Sequence, residues 1–535
     1  MVERAAFGVQ LQVASGDART SAARLDALQL PCYDLALCEA ELAAAQALLE
    51  HAQTATRHDA LAGALTASFV IENVASSWQR LSLRPADYGL GPDDLWSLSQ
   101  QLATVAPVIA AAELDRLGAA LVERDGRLPP TLLADEHESM RDAFASFASD
   151  VVAAEALRIH AEDADIPDTL IDGAARLGLF GVSIPQRYGG LQPDERPDTL
   201  AMLVVTEAMS RESLGAAGSL VTRPEIMARA LREGGTDAQR ARWLPRLASG
   251  ESLCAIAITE PDFGSDVASL RMRADRVAGG WRLSGAKMWC TFAGRADVIF
   301  VVARTSADAS AGHKGLSVFL VEKPRCMGHT IDVQGPNGGR LKGRAIRTLG
   351  YRGMHSFELS FDDWIAPPDA LLGGEAGEGR GFYLTMAGMA GGRLQTAARA
   401  NGVMQAAFDE AMRYTRGRRV FGRPVADYAL TRTRLARMAA CLTASRQLSY
   451  AVARRLDAGG DGREASLAKL FACRAAEWVT RDAMQMHGGM GYAEETTASR
   501  LFVDARVLSI FEGAEETLAL KVIARELLHR AAEKR

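Results

Sequence analysis

The sequence predicts an α+β fold, a middle β-domain set between helical segments with an extra helical module in front. Two changes of hydrophobic period and one absence lead there. Helical spacing prevails up to Gly250, gives way between Leu253 and Leu372 to short β-branched and aromatic runs, and returns from Gly391. Strands and helices never alternate as they do in a doubly wound nucleotide-binding sheet.

The first module is residues 1–130. Leu35, Cys38, Leu42, Ala45 and Leu49 recur at steps of three and four, which is helical spacing. Arg124-Asp125-Gly126-Arg127-Leu128-Pro129-Pro130 then combines charge, Gly and a double Pro, which stop a helix and mark a linker. A second helical domain, residues 131–250, is interrupted by turns at Ser183-Ile184-Pro185 and Tyr188-Gly189-Gly190. The β-domain, residues 251–372, contains Val298-Ile299-Phe300-Val301-Val302, Leu316-Ser317-Val318-Phe319-Leu320 and Phe357-Glu358-Leu359-Ser360-Phe361. In residues 373–535, Met404, Ala407, Phe408, Ala411 and Met412 form one helical face and Leu467, Leu470, Phe471, Ala475 and Val479 another, as expected of a helical bundle.

Composition excludes several classes. Of 535 residues, 48% are hydrophobic and 24% charged, as in an ordinary globular chain and unlike a disordered one. A net charge of -5 offers no general attraction to nucleic acid or to an anionic membrane surface. The seven cysteines are scattered and never form a C-x-x-C pair, which suits reduced thiols and supports neither a disulfide nor a zinc-thiolate site. Residues 1–13 lack a signal-like apolar run, and no later stretch approaches ~18 uninterrupted apolar residues. A soluble, cytoplasmic protein is expected.

Zincin, P-loop and nucleophile-elbow motifs are absent. Ser-x-x-Lys occurs at Ser284/Lys287 and Ser466/Lys469, a pattern short enough to arise by chance. Gly377-Glu378-Gly379-Arg380-Gly381 lacks the leading strand of a phosphate loop and reads as a flexible interdomain turn. More specific is an ordered set: Ile258-Thr259-Glu260-Pro261-Asp262-Phe263-Gly264-Ser265-Asp266, Lys287-Met288-Trp289-Cys290-Thr291, Phe421-Gly422, Gly488-Gly489-Met490-Gly491 and Phe511-Glu512-Gly513. Together these resemble the acyl-CoA dehydrogenase family, from about residue 140 to the C-terminus.

The resemblance implies a helical domain, a β-barrel-like middle domain and a C-terminal helical bundle, with FAD as cofactor. Thr259 and Thr291 would bond the isoalloxazine, Trp289 would pack on it, and Ser265 would reach a phosphate. Arg418, with Phe421, matches the segment that crosses a subunit interface to the adenosine-pyrophosphate half of a neighbour's FAD, and Gln485, Gly488 and Gly489 match the loop meeting the same cofactor. A homo-oligomer, with a dimer favoured, follows from that reading. His487 reads as structural. Ala514 and Ala429 depart from the Thr and Gln common in the family.

Glu512 matches the family's catalytic base. An α-proton beside a thioester is weakly acidic, so the carboxylate is expected to be desolvated, with Phe511 and Ile510 promoting this. The Glu512 N–H and a flavin ribityl hydroxyl would stabilise the enolate, and the β-hydride would pass to flavin N5. Residues 215–225 and 392–400, with the N-terminal module, point within the family to a short branched dicarboxylic acyl-CoA substrate. Arg223 is the candidate partner of its free carboxylate, with Arg393 or Arg399 as alternatives, and Gly513 is a further substrate-binding candidate. Electron-transfer flavoprotein is the implied acceptor. Another short or branched-chain substrate, or acyl-CoA oxidase or flavin monooxygenase chemistry, stays open.

Overall fold

The computed structural model describes residues 1–13, 22–460 and 462–533. Helix α1 (Val2–Val13) is followed by α2 (Gln29–His58) and α3 (Ala60–Ser82), separated by Asp59 alone. The Asp59 carboxylate accepts from Leu61 N at 3.0 Å and so caps α3. Helix α4 (Ala111–Glu123) ends where Asp125 and Gly126 take φ of 56° and 75°.

Next come α5 (Ala153–Glu162), α6 (Thr199–Glu212), α7 (Thr222–Gly234) and α8 (Asp237–Ala248), the last started by a Thr236/Gln239 capping box. The β-segment supplies β1 (Cys254–Ala257), β2 (Arg273–Val277), β3 (Gly280–Thr291), β4 (Val298–Arg304), β5 (Leu316–Glu322), β6 (Thr330–Gln334), β7 (Arg340–Ile346) and β8 (Ser356–Ala366). They form one eight-stranded sheet in the order β1-β4-β2-β3-β8-β7-β6, with β5 paired to β4. Helices α9 (Gly381–Gly417), α10 (Ala429–Asp457), α11 (Glu464–Met486) and α12 (Thr497–Leu508) complete the elements that carry the site.

The chain divides into two compact units, residues 1–138 with 396–535, and residues 139–395. In the first, α10 packs against α2, α3, α4 and α11. The approach of α4 to α10 is so close that a Cβ on Gly118 would lie 2.1 Å from the Arg432 carbonyl oxygen, and Asp115 accepts from Arg432 Nε at 2.7 Å beside it. Helix α3 is long and apolar enough, by length and composition, to cross a membrane. Here it packs within the unit, with Phe69 edge-on to Phe471 at 5.8 Å and Glu72 bonded to Arg437 at 2.8 Å.

In the second unit the sheet carries apolar side chains on both faces. Trp281, Leu283, Phe319, Phe357, Phe361 and Trp364 fill one side, while Phe300, Val302, Val318 and Leu320 meet Trp243, Leu244 and Leu247 of α8 on the other. The uninterrupted apolar run of β4 is explained by this double burial. The glycine-rich stretch before α9 is a pinned turn and not a flexible one, since Gly379 N donates to Ser317 Oγ at 2.9 Å.

Candidate active site

Glu512 sits in the turn that follows α12, and its φ of 54° is followed by 103° at Gly513. A non-glycine residue in this conformation persists only where its surroundings hold it. Glu512 Oε2 accepts from Thr396 Oγ1 and from Arg399 Nη2, each at 2.7 Å. Thr396 and Arg399 are three residues apart on α9 and share a face. Arg399 is fully buried, and its guanidinium lies 4.7 Å from the centre of the Phe511 ring. From the other side, buried Lys469 on α11 donates to the Gly513 carbonyl oxygen at 2.7 Å. The Ser466/Lys469 pattern therefore marks a turn support.

These surroundings correct one expectation. Ile510 is 55% exposed and does not desolvate the carboxylate, whose nearest charged neighbour is the cation of Arg399. In this structure Arg399 is engaged by Glu512. The backbone N–H of Glu512 makes no hydrogen bond among the described residues.

The flavin candidates Thr259, Ser265, Trp289 and Thr291 lie in the second unit. Thr259 O accepts from Met288 N at 2.8 Å, which brings the first motif against β3. Behind it, Lys287 Nζ donates to Glu260 Oε1 at 2.9 Å and to Ile258 O at 2.8 Å, while the same carboxylate accepts from Arg271 N and Met272 N. Burial pulls the Lys287 ammonium below its ordinary value, and the Glu260 charge opposes that pull. Ser284/Lys287 is thus part of a buried clamp. Beyond it the β3–β8 register shifts between Lys287 and Cys290, and Trp289, at φ 59°, is turned out with 53% of its surface exposed. Thr291 Oγ1 lies 2.8 Å from Ser356 Oγ, and Ser265 is exposed in its loop.

Arg418, Phe421, Gln485, Gly488 and Gly489 lie in the first unit, all exposed. The basic run sorts itself: Arg416 pairs with Asp125, Arg419 donates to Gly422 O, and Arg423 lies over the Tyr428 ring. The Arg418 side chain has no polar partner among the described residues. Phe421 is 97% exposed at φ 47°, at the tip of a two-stranded ribbon. A Cβ on Gly422, Gly488 or Gly489 would meet nothing, and at Gly422 and Gly488 it is φ of 86° and 59° that favours glycine. His487 is buried, stacked on Tyr414 at 4.2 Å and bonded to Ala483 O, a packing role.

Arg223, near the start of α7, is 6% exposed. It donates from Nη1 to Ser219 O at 2.6 Å and from Nη2 to Tyr351 OH at 2.9 Å, and Nη1 lies 3.4 Å from Met354 Sδ. All three partners are neutral, and no carboxylate pairs with it among the described residues. The loop that supplies Tyr351 and Met354 also accepts from Phe292 N through Met354 O and His355 O, so the Arg223 cluster adjoins the segment bearing Thr291. Arg393 is half-buried on α9, and burial lowers its pKa from the ordinary value. Sequence reasoning missed Thr396, Tyr351, Met354 and the Glu260–Lys287 pair. For Arg399 the available signal was an arginine inside the alanine-rich 396–400 run.

Fold and site now define a class. The N-terminal, middle and C-terminal domains of acyl-CoA dehydrogenases match residues 134–251, 255–364 and 379–528, and the chain belongs to the acyl-CoA dehydrogenase family. It is 42% identical to (2S)-methylsuccinyl-CoA dehydrogenase of Cereibacter sphaeroides over 398 residues, 74% of this chain and 70% of that one. Identity to the mitochondrial 2-methylacyl-CoA dehydrogenase of Solanum tuberosum is 35%, over 74% of this chain and 91% of the relative. Among solved structures, butyryl-CoA dehydrogenase from Megasphaera elsdenii superposes with a TM-score of 0.68 at 29% identity, covering 75% of this chain and 100% of that one.

The chain is accordingly an FAD-dependent oxidoreductase acting on acyl-CoA, with the family's curled middle sheet between helical domains. The residues fit the cofactor. In the second unit the outward Trp289 indole is a surface on which a flavin ring would pack, and in the first the exposed Phe421 ring and the Arg418 guanidinium, without a polar partner among the described residues, are groups that an adenosine-pyrophosphate half would need.

Proposed function

We propose that this enzyme oxidises (2S)-methylsuccinyl-CoA to mesaconyl-CoA, with Glu512 as base and Arg223 holding the free carboxylate. The observation that carries the substrate is the buried, carboxylate-free guanidinium of Arg223. Burying a cation without a counter-ion is costly, and a substrate carboxylate on the β-carbon would supply one in two-point geometry. Identity to the Cereibacter sphaeroides enzyme supports the same reading.

Glu512 Oε2 takes the α-proton after its carboxylate turns from Thr396 and Arg399 toward the thioester. The free N–H of Glu512 faces the thioester oxygen as negative charge develops there. FAD, when bound, would supply the acceptor for the β-hydride. Trp289 would pack on the flavin ring, Thr259 and Thr291 would bond its edge, and Ser265 would reach a phosphate. Arg418, Phe421, Gln485, Gly488 and Gly489 would meet the cofactor of a second copy, in a working form that would be a homo-oligomer. Arg393 and Gly513 line the acyl end, residues 1–130 are an extension of the three family domains, and electron-transfer flavoprotein takes the electrons.

Anaerobic flavin reduction tests this. Methylsuccinyl-CoA should bleach the flavin far faster than 2-methylbutyryl- or butyryl-CoA. Faster bleaching by an uncharged thioester would overturn the substrate assignment. Steady turnover with dioxygen as fast as with electron-transfer flavoprotein would replace the dehydrogenase by an oxidase.

A further inference from the structure

Away from the candidate catalytic residues, the loop after α5 and the segments leading into β6 and β8 bring together Asp163, His329 and His355. His329 Nε2 and His355 Nε2 are 3.1 Å apart, and His355 Nε2 is 3.4 Å from Asp163 Oδ1. One potential ligand atom from each residue falls within 4.8 Å of the other two. Tetrahedral zinc with bonds of about 2.0–2.2 Å places its ligands roughly 3.3 Å from one another, close to the spacing seen.

The protonation pattern favours a cation. His355 Nδ1 lies 2.9 Å from Asp165 Oδ1, and a carboxylate there can only accept, so Nδ1 carries the proton. In the neutral ring Nε2 then has a lone pair, yet it faces the Asp163 carbonyl oxygen at 3.1 Å, a carboxylate oxygen and the second imidazole. A positive centre among these atoms, a metal ion or a second proton on the ring, turns the repulsion into attraction. The Asp165–His355 pair is the carboxylate–histidine arrangement that orients metal-bound imidazoles.

Two further features belong to a built site. Asp165 Oδ2 accepts from Gly328 N at 2.8 Å, so one carboxylate positions both histidine-bearing segments. Asp163 holds φ of 52° as the left-handed cap of α5, and His355 holds φ of 42°, an uncommon conformation for a non-glycine residue. His355 is buried while His329 is exposed, which leaves an entry path and a coordination position for water. Against the site stands Arg352, whose Nε lies 3.9 Å from Asp163 Oδ1.

We propose that Asp163, His329 and His355 bind one divalent transition-metal ion, zinc foremost, which fastens the loop after α5 to the edge of the sheet. Borderline nitrogen and oxygen ligands select such an ion over magnesium or calcium. Because His355 lies between Met354, which touches Arg223, and Ser356, which meets Thr291, the ion also steadies the segment shaping both.

The test is calorimetric titration of Zn²⁺ into the holoenzyme after chelator treatment and dialysis. One tight equivalent is expected, lost in His329→Ala, whose exposed side chain makes that variant safe to fold. Asp165→Asn keeps all three ligands and should weaken affinity about 10- to 100-fold. Zn²⁺ should raise the melting temperature of the parent protein and not of His329→Ala. Absence of a tight equivalent in the parent would overturn the proposal and leave a proton shared between the imidazoles as the positive centre. An equivalent retained with unchanged affinity in His329→Ala would assign the zinc to other residues, thiols included.

Discussion

Glu512 and Arg399 form an ion pair at 2.7 Å in which the arginine is fully buried and the glutamate side chain keeps 14% of its exposure. The candidate base is thus parked on a cation, in a left-handed turn, with Thr396 as a second donor. Breaking such a pair leaves a buried charge unmatched. Arg399→Met should cost roughly 3 kcal/mol, the lower end of the range for a buried pair. The double variant with Glu512→Gln should cost clearly less than the sum of the two single changes in denaturant unfolding. Additive losses would show that the pair carries no coupling.

Glu512→Gln keeps the size and hydrogen-bonding reach of the side chain but cannot accept the α-proton. It should retain the yellow flavin and slow anaerobic flavin reduction by about 10²- to 10⁴-fold or more. Near-normal reduction would move the base elsewhere.

The N-terminal module is expected to be inseparable from the C-terminal helices of its unit. Gly118→Val would drive a side chain into the Arg432 backbone and pry α4 from α10 beside the Asp115–Arg432 pair. An overpacking cost of about 1–3 kcal/mol should appear as a lowered melting temperature. A chain starting at Pro130 would bare the α10 and α11 faces that α2, α3 and α4 cover, and should aggregate. A soluble, active dimer from that chain would contradict the expectation.

Thiol reactivity offers a separate check. Burial pushes Cys32 and Cys473 up to about 11 and Cys290 and Cys441 up to about 12, and raises Cys38 and Cys254 as well. Thiolate is the reactive form, so these six should stay silent toward a disulfide reagent near neutral pH. Cys326 and Cys441 are the two partly exposed thiols, and because burial raises Cys441, Cys326, in the segment between β5 and β6, should react first, with Cys326→Ser abolishing the fast phase. Several fast thiols in the native enzyme would refute the burial pattern.

The order of helices and strands was legible because each depends on local period. The runs 298–302, 316–320 and 357–361 became β4, β5 and β8, and the helix stop read at 124–130 follows α4 directly. What supports the site was not legible. Lys287 meets Glu260 across 27 residues and Arg399 meets Glu512 across 113, separations that no local pattern encodes. Nor does the sequence announce that Trp289, Phe421 and Glu512 all adopt positive φ, since none is glycine; Phe421 takes it in the tight turn of its ribbon and Trp289 at the register shift of β3. Arg223 was legible as a candidate, but its neutral partners Tyr351 and Met354 lie more than a hundred residues away.

The most direct measurement of the central claim compares Arg223→Met with the parent enzyme on charged and uncharged thioesters. If Arg223 pairs with the substrate carboxylate, kcat/KM for methylsuccinyl-CoA should fall by the equivalent of about 2 to 5 kcal/mol, the loss expected when one partner of a buried charge pair is removed. Butyryl- and 2-methylbutyryl-CoA should be little affected, FAD content should be unchanged, and Arg223→Lys should rescue only in part because an ammonium cannot copy the two-point contact. Equal losses on charged and uncharged substrates would contradict the account and reduce Arg223 to a packing residue.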